Sequence, residues 1–322
     1  SGVEHRRKSP QRMGDELSFL ANFYKQPILM AVDTIMPTGA AHDTFKDFQK
    51  PESLRHVLYQ LKSNISFEEL DILKEKGFNA CHPAIESLDD HFLGLIAKGT
   101  TTANNIRVLR DCRTLDIISF WNFLYGMPGE TEEDYEKMIR LIPRIHHLRP
   151  PSNHIQLVIM RYSPMFNEPQ RFGISNLKAG DTTTGIFPDH PHINDLPLYF
   201  SGQYPTAFQN ENLAQRFFHA IDQWQAIWRA NPPVLEIIGT GHDADAFESG
   251  SDQTYLVNDT RMIASARKQP IDNRHLKLLR FLSQPKNHET TRSFYRENHL
   301  EAAFHELMDR DYIIDTGAQY IS

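Results

Sequence analysis

A glycine-rich turn between a predicted strand and a predicted helix is the segment of this sequence best suited to bind a ligand. The apolar run 121–125 leads directly into Gly126-Met-Pro-Gly129. Thr131 and Asp134 then form a capping box for the following helix. The glycines allow the backbone to turn sharply against a bound molecule, and a helix N-terminus attracts polar groups. The segment predicts a site for a polar ligand group, with an ordinary strand-to-helix turn as the alternative.

Polar residues stand at the C-terminal ends of five predicted strands. In chain order they are Asp33, Lys62 with Asn64, Glu86 with Ser87, Gly126, and Arg161 with Tyr162. Strands that alternate with helices form right-handed βαβ units and a parallel sheet, and ligands bind at the carboxyl edge of such sheets. The set therefore predicts one shared site at that edge. For any single residue, a strand end that meets solvent is the alternative.

The elements that position these residues are predicted from apolar spacing and capping residues. Strands are predicted at 28–33, 57–62, 78–85, 118–125 and 155–162, and helices at 66–76, 87–99, 103–115 and 131–147. This alternation indicates the α/β class, either as an open doubly wound sheet or as a partial (βα) barrel. The spacing of the elements suits both architectures.

Composition excludes several classes of protein. The 322 residues are 40% hydrophobic, which supports a substantial core, and the net charge of -7 argues against a general nucleic-acid binder. Because no apolar run is long enough to span a bilayer and the first residues lack a signal-peptide pattern, we expect a cytoplasmic protein without a membrane partner. Cys81 and Cys112 are the only cysteines, so this chain cannot supply a three-cysteine metal site. We expect both to be structural.

The last third of the chain divides into three predicted parts. A stretch rich in Pro, Gly and Thr from 164 to about 205 is expected to form a loop over the ligand-binding edge, and 211–230 an amphipathic helix. Residues 272–322 read as three helices and a hairpin, a winged-helix-like module. Its acidic third helix disfavours DNA binding, which leaves peptide docking or plain packing. We predict domains 1–205, 206–271 and 272–322.

A series of phrases, in order along the chain, resembles the radical S-adenosylmethionine (SAM) superfamily, and most closely its cobalamin-type enzymes of ribosomal peptide maturation. The phrases include Arg7-Lys8-Ser9-Pro10, Leu61-Lys62-Ser63-Asn64, Ile85-Glu86-Ser87-Leu88, Lys98-Gly99-Thr100-Thr101, Leu124-Tyr125-Gly126-Met127-Pro128-Gly129-Glu130-Thr131 and Arg161-Tyr162-Ser163-Pro164. The resemblance covers most of residues 5–205. It implies a partial (βα) TIM-like barrel. The family's first strand, its three-cysteine cluster loop and a cobalamin domain would precede this chain, which is expected to be the C-terminal part of a longer protein.

The resemblance also implies the cofactors and their contacts. These are SAM, a four-iron, four-sulfur (4Fe-4S) cluster and cobalamin, the last two with their ligands outside this chain. The SAM-binding residues it assigns are Asp33, Lys62, Asn64, Glu86, Ser87, Leu124, Gly126, Met127, Arg161 and Tyr162. Within this set, charged groups would bind the methionyl end, and Leu124 or Met127 would pack on adenine. No catalytic residue and no metal ligand is assigned.

The implied reaction is C-methylation of a ribosomally synthesised precursor peptide. Methylcobalamin would supply the methyl group and a 5′-deoxyadenosyl radical would abstract hydrogen, with a reductant such as flavodoxin or ferredoxin. This chain alone, without the cluster cysteines, is expected to be inactive. The alternative is a non-catalytic peptide-binding relative that kept the barrel but lost the cluster. An α/β hydrolase is disfavoured because no nucleophile elbow is present.

Overall fold

A curved parallel sheet forms the centre of the first half of the chain. The computed structural model describes residues 8–32, 35–187, 192, 195–238 and 254–322. The first sheet strands pair in chain order: β1 (Ile28–Met30), β2 (His56–Gln60), β3 (Ala80–His82) and β4 (Ile118–Ser119). Helix α1 (Pro10–Tyr24) precedes β1, and its N-terminus is capped by the Ser9 hydroxyl.

Two further parallel strands extend this arrangement. They are β5 (Asn122–Tyr125) and β6 (Asn153–Gln156). A parallel β-bridge pairs Glu86, which follows β3, with Phe123 in β5. The described strands therefore follow one another in sequence order without the reversal of a doubly wound sheet. The predicted α/β class and partial (βα) barrel are confirmed.

Helices lie between the parallel strands, and most begin at a side-chain cap. They are α2 (Phe67–Glu75), α3 (Asp90–Leu95), α4 (Thr102–Thr114) and α5 (Glu132–Leu141). The predicted capping box of Thr131 and Asp134 is present. The predicted start of a helix at Ser87 is wrong, because the side chain of Asp89 accepts the hydrogen bond from the Phe92 amide. A π-helical turn (Ala41–Phe45), absent from the predictions, lies between β1 and β2.

The two faces of the parallel sheet have different surroundings. Val57, Tyr59, Cys81 and Phe123 are buried in the main core. Successive strand residues point to opposite faces, so their neighbours lie on the concave face. The strand residues on the concave face are half-buried or exposed. Apolar examples are Met30, Leu58, Ile118, Leu124 and Ile155. The concave face is therefore accessible and carries both apolar and polar residues.

After β6 the chain forms a small antiparallel sheet. Its strands, β7 (Ile159–Met160), β8 (Ser175–Ala179) and β9 (Tyr199–Gln203), pair in the order β7-β9-β8, with α6 (Pro164–Asn167) and α7 (Asp181–Ile186) in the connections. The single strand predicted at 155–162 and the loop predicted at 164–205 are therefore wrong. The backbone changes partner between Leu157, which donates to Tyr125, and Arg161, which donates to Leu198.

Helix α8 (Glu211–Ala230) packs on α5. The Trp224 indole donates to the Leu148 carbonyl at 3.0 Å, and the Phe217 ring lies edge-on to Tyr135. Both α8 residues are fully buried in the same core as the sheet. The structure therefore does not divide the chain after residue 205. None of the described helices has the length and apolar character needed to cross a membrane.

Most of the remaining buried residues form a second core, whereas Ile314 and Ile321 pack in the main core. A sheet of β10 (Leu235–Ile238), β11 (Thr254–Asp259) and β12 (Lys268–Asp272) packs with the three predicted helices, α9 (Asn273–Phe281), α10 (His288–Glu297) and α11 (Glu301–Asp309). The strands β13 (Lys286–Asn287), β14 (Ile314–Asp315) and β15 (Gln319–Ile321) pair in the order β13-β15-β14. The C-terminal module thus includes β11 and β12, before the predicted boundary at 272. Its winged-helix-like classification stays a prediction.

Candidate ligand-binding site

A carboxylate and a cation meet just beyond β3. The Glu86 side chain is half-buried, and its Oε1 accepts a hydrogen bond from Lys98 Nζ at 3.1 Å. The Glu86 carbonyl accepts from the Leu124 amide at 2.8 Å, which fixes the residue against β5. Its φ of 62° lies in the left-handed region, which is uncommon for a residue other than glycine and concentrates at functional sites. The predicted site residue Glu86 is therefore held rigidly at the sheet edge.

Lys62 and Asn64 are exposed at the end of β2. Both line a small cavity with Met36 and Gly39 from the segment after β1. Within the described part of the chain, neither side chain has a hydrogen-bond or ion-pair partner, so both can contact a ligand. Asp33, the predicted partner for a ligand amine, lies outside the described residues.

The glycine turn is held by a buried carboxylate that the sequence analysis did not single out. The amides of Gly126 and Met127 donate to Glu130 Oε2 at 2.9 and 2.8 Å, and the Tyr135 hydroxyl donates to the same oxygen at 2.6 Å. The Ala207 amide donates to Oε1 at 3.0 Å. Burial raises the pKa of the Glu130 carboxyl, and these hydrogen bonds oppose that rise.

This arrangement changes the expected role of the turn. Its first two amide groups are occupied by Glu130, and the Gly126 carbonyl accepts from the Tyr204 hydroxyl at 2.8 Å. The Met127 side chain is buried in the main core. Gly126 and Met127 therefore shape the sheet edge, and their contact with a ligand stays a prediction. Leu124 is half-buried on the concave face, in register with Ile155.

Ser87 lies on the other side of the chain from Glu86. It is fully buried, its hydroxyl accepts from the Asp89 amide at 3.2 Å, and it contacts the Met138 sulfur at 3.5 Å. The hydroxyl therefore faces the helix layer. Proximity in sequence suggested a shared role with Glu86, but the structure does not bring the two side chains together.

Arg161 and Tyr162 lie in the turn that follows β7. Arg161 Nε donates to the Pro197 carbonyl at 2.9 Å, and its guanidinium lies over the rings of Phe166 and Phe200 at 5.4 and 5.0 Å. Tyr162 is 77% exposed. Arg161 is thus held by these contacts, whereas Tyr162 is accessible.

The concave face adds two polar residues that the sequence analysis missed. Gln60 and His82 are cross-strand neighbours, and both are half-buried. The Nδ1 atom of His82 is shielded from solvent and has no hydrogen-bond partner among the described residues. Buried polar atoms are nearly always paired, so this nitrogen is an exception among the described residues. In the sequence, Gln60 and His82 are each a polar residue within a predicted strand whose other residues are mostly apolar.

The residues present fit SAM but not an iron–sulfur cluster. SAM carries a zwitterionic methionyl group and an aromatic base. The Lys62 ammonium and the Glu86 carboxylate match the charged groups, and the apolar surface at Leu124 matches the base. Cys81 and Cys112 are buried in the core with sulfurs 3.7 Å apart. Two thiols in the core, away from the concave face, cannot hold the cluster.

Comparisons by sequence match the first part of the chain. The family model described as the radical SAM superfamily matches residues 9–142. The tRNA-2-methylthio-N(6)-dimethylallyladenosine synthase of Nitrosomonas europaea is 34% identical over 67 residues, which are 20% of this chain and 15% of that protein. This chain thus spans only a small part of that relative's length.

Two solved structures superpose on part of this chain. The radical SAM methyltransferase TsrM from Kitasatospora setae, solved with cobalamin and a 4Fe-4S cluster bound, superposes with a TM-score of 0.50 and 16% identity over 67% of this chain and 47% of that one. The cobalamin-dependent SAM radical enzyme OxsB, with aqua-cobalamin bound, gives a TM-score of 0.49 and 13% identity over 65% and 37% of the two chains. At these identities the likeness shows the fold alone. The family model alone assigns residues 9–142 of this chain to the radical SAM superfamily.

Proposed function

We propose that this chain is the barrel-forming part of a radical SAM enzyme that methylates a carbon of a ribosomally synthesised peptide with the help of cobalamin. The observation that carries the proposal is the carboxyl edge of the parallel sheet in the radical SAM domain. There, Lys62 and Asn64 are exposed without described partners, and Glu86 is fixed beside Lys98. Ligands of parallel α/β folds bind at this edge.

SAM would lie along this edge and over the concave face. The Lys62 ammonium would bind its carboxylate, Asp33 its amine, and Asn64 and Glu86 its amine or ribose hydroxyls. Charge-assisted hydrogen bonds of this kind are stronger than neutral ones. Leu124 would pack on the adenine, and exposed Tyr162 would cover the ligand. When bound beside a cluster held outside these 322 residues, SAM supplies the radical chemistry.

Methylation, cobalamin and the peptide are the finer parts of the proposal. A methyltransferase with bound cobalamin among the structures of similar fold supports the first two. The precursor peptide, and a reductant such as flavodoxin or ferredoxin, follow from the sequence resemblance. A non-catalytic peptide-binding relative is the second candidate, because the two buried cysteines cannot hold the cluster. Three cysteines in the family's spacing upstream of Ser1 would exclude that candidate.

The SAM site is tested by affinity measurements on the intact protein, reconstituted anaerobically. We expect Lys62→Gln and Glu86→Gln each to weaken SAM binding by about tenfold or more, since each removes a charge-assisted hydrogen bond. Glu133→Gln, an exposed carboxylate on α5, is the matched control and should leave affinity unchanged. If both edge variants bind SAM as the native protein does, the proposed site is wrong.

The methyltransferase assignment needs a separate measurement. We expect the intact protein to retain a corrinoid after cobalamin supplementation and to add the mass of a methyl group to its peptide. Protein without bound corrinoid would contradict methylation by cobalamin, while leaving the SAM site untouched.

A further inference from the structure

A buried arginine on α4 contacts the backbone of residues 62–65, which we call the site turn. Nη2 of Arg107 donates to the Ser63 carbonyl at 3.1 Å and to the Ile65 carbonyl at 2.8 Å. Arg107 is only 3% exposed. Because the two carbonyls lie on either side of Asn64, one guanidinium group fixes the backbone that carries this exposed side chain.

The guanidinium group is itself held by a buried carboxylate. Nη1 of Arg107 donates to Asp111 Oδ2 at 2.8 Å, and both side chains of this pair are buried. The other carboxylate oxygen, Oδ1, accepts from Arg110 at 2.8 Å. Arg110 in turn donates to the backbone oxygens of Ser283 and Ser322, in the C-terminal module, both at 2.7 Å. A satisfied buried network of this kind is rigid, so Arg107 has little freedom to leave the site turn.

A pair of hydroxyl groups fixes the site turn from a second direction. Ser63 is buried, and its hydroxyl donates to the Thr100 hydroxyl at 3.0 Å. Thr100 belongs to the segment between α3 and α4, on a different element from Arg107. The backbone of the site turn is therefore held by two independent contacts inside the protein.

The two sides of the site turn have opposite environments. Its carbonyls and the Ser63 hydroxyl bond to the interior, whereas the Lys62 and Asn64 side chains are exposed and line the small cavity at the sheet edge. Groups that bind a ligand must be held within about 0.5 Å of the productive geometry by supporting residues that are themselves fixed. Arg107 meets this description, because it is immobile and touches only the backbone beneath the two exposed side chains.

We propose that Arg107 is a positioning residue of the SAM site. It lies beneath the site turn, does not contact the ligand, and keeps the Lys62 ammonium and the Asn64 amide where both reach SAM. Because this role rests on the SAM site proposed above, it is tested by measurements that separate the two.

Arg107→Met removes both carbonyl contacts, while Asp111 keeps its pair with Arg110. In the intact protein without SAM, we expect amide hydrogen exchange in residues 62–65 to become faster, since the backbone there loses an anchor. In the reconstituted protein, SAM should bind about fivefold or more weakly. Arg113→Met, an exposed arginine on the same helix, is the control and should change neither quantity.

The background in which affinity is measured separates positioning from a general loss of stability. When Lys62→Gln and Asn64→Ala are combined, the site turn offers no binding side chain, and Arg107→Met should then weaken SAM binding by less than about twofold further. In a Leu124→Ala background, which alters the adenine end on β5, Arg107→Met should keep its full effect. A purely structural defect would weaken binding equally in both backgrounds.

Unchanged exchange in residues 62–65, unchanged SAM affinity, or equal weakening in the two backgrounds would each overturn the positioning role and leave the SAM site intact. If Lys62→Gln itself leaves SAM affinity unchanged, the SAM site is wrong and the positioning role falls with it. If Arg107→Met does not fold, Arg107→Lys replaces it with the same criteria. The lysine keeps a cation beside Asp111 but has one nitrogen where the guanidinium spans several acceptors.

Discussion

His146 is a buried polar side chain next to Trp224. It is 3% exposed, its ring centroid lies 6.1 Å from that of Trp224, and neither ring nitrogen has a partner among the described residues. Burial, and then the charge of Arg261, lowers its pKa to about 4 from the ordinary 6.5. The ring is therefore neutral in the folded protein at neutral pH, and acidification favours the unfolded chain, which binds the proton more readily.

We expect His146→Leu to remove part of the acid sensitivity of folding. Because the folded pKa is depressed, the native protein should lose stability as pH falls from about 6.5 through 4, and the variant should lose less over that window. At pH 7 the variant should be as stable or more stable, since two unpaired nitrogens are gone. Urea unfolding at several pH values measures both effects. The same substitution at exposed His219 controls for loss of an imidazole; equal slopes for both variants would contradict the assignment.

At the scale of elements, the join between β5 and α5 combines a local cap with a long-range anchor. Thr131 and Asp134 satisfy each other's backbone amides, as in other capping boxes. Glu130, one residue earlier, ties the turn to Tyr135 on α5 and to the Ala207 amide before α8. One carboxylate thus positions the strand end, the helix and the segment leading to the next helix, and thereby the edge where Glu86 and Leu124 lie.

Glu130→Ala should destabilise the fold strongly. The substitution leaves four hydrogen-bond donors without their acceptor, and we expect a loss of about 2–4 kcal/mol in the free energy of unfolding. Glu133→Ala, an exposed carboxylate on α5, should change stability by less than about 0.5 kcal/mol. Urea denaturation of both variants provides the comparison. A similar small change in the two would mean that water replaces the Glu130 contacts.

At the scale of the whole molecule, a buried ion pair connects the two cores. Arg261 and Asp259 have side chains 0% and 1% exposed and are 2.7 Å apart. The Arg261 guanidinium also donates to two backbone carbonyls. One is that of Arg144, just after α5, at 2.6 Å, and the other is that of Asp311, in the C-terminal module, at 3.1 Å. This contact fixes the module against the barrel.

Arg261→Met should weaken both the module and its attachment. Removing one partner of a buried pair leaves an uncompensated carboxylate, which costs about 3–5 kcal/mol. Arg274→Met breaks a pair with the same spacing in sequence, Arg274 with Asp272, that is largely exposed, and should cost no more than about 1 kcal/mol. Calorimetric unfolding measures the difference. Hydrogen exchange in α9 and α11 should accelerate in the first variant alone; equal protection in both would contradict a joining role.

The order of elements and the family were predictable from sequence because their signals are local. Apolar spacing placed β1, β2 and β3 near their observed positions but merged β4 and β5 into one strand, and Thr131 with Asp134 marked a real helix start. The phrase from Leu124 to Thr131 carried the resemblance that the family comparison confirmed. Such features depend on residues within a few positions of one another, so the chain specifies them before it folds.

Side-chain roles at the site were decided by contacts between residues far apart in sequence. Glu86 and Ser87 are neighbours, yet one lies at the sheet edge and the other under α5, because the backbone turns each side chain toward a different layer. Glu130 depends on Ala207, and Arg161 on Pro197. The sequence by itself thus determined the radical SAM domain and its strands, whereas only tertiary packing decided which polar groups are engaged and which remain open to a ligand.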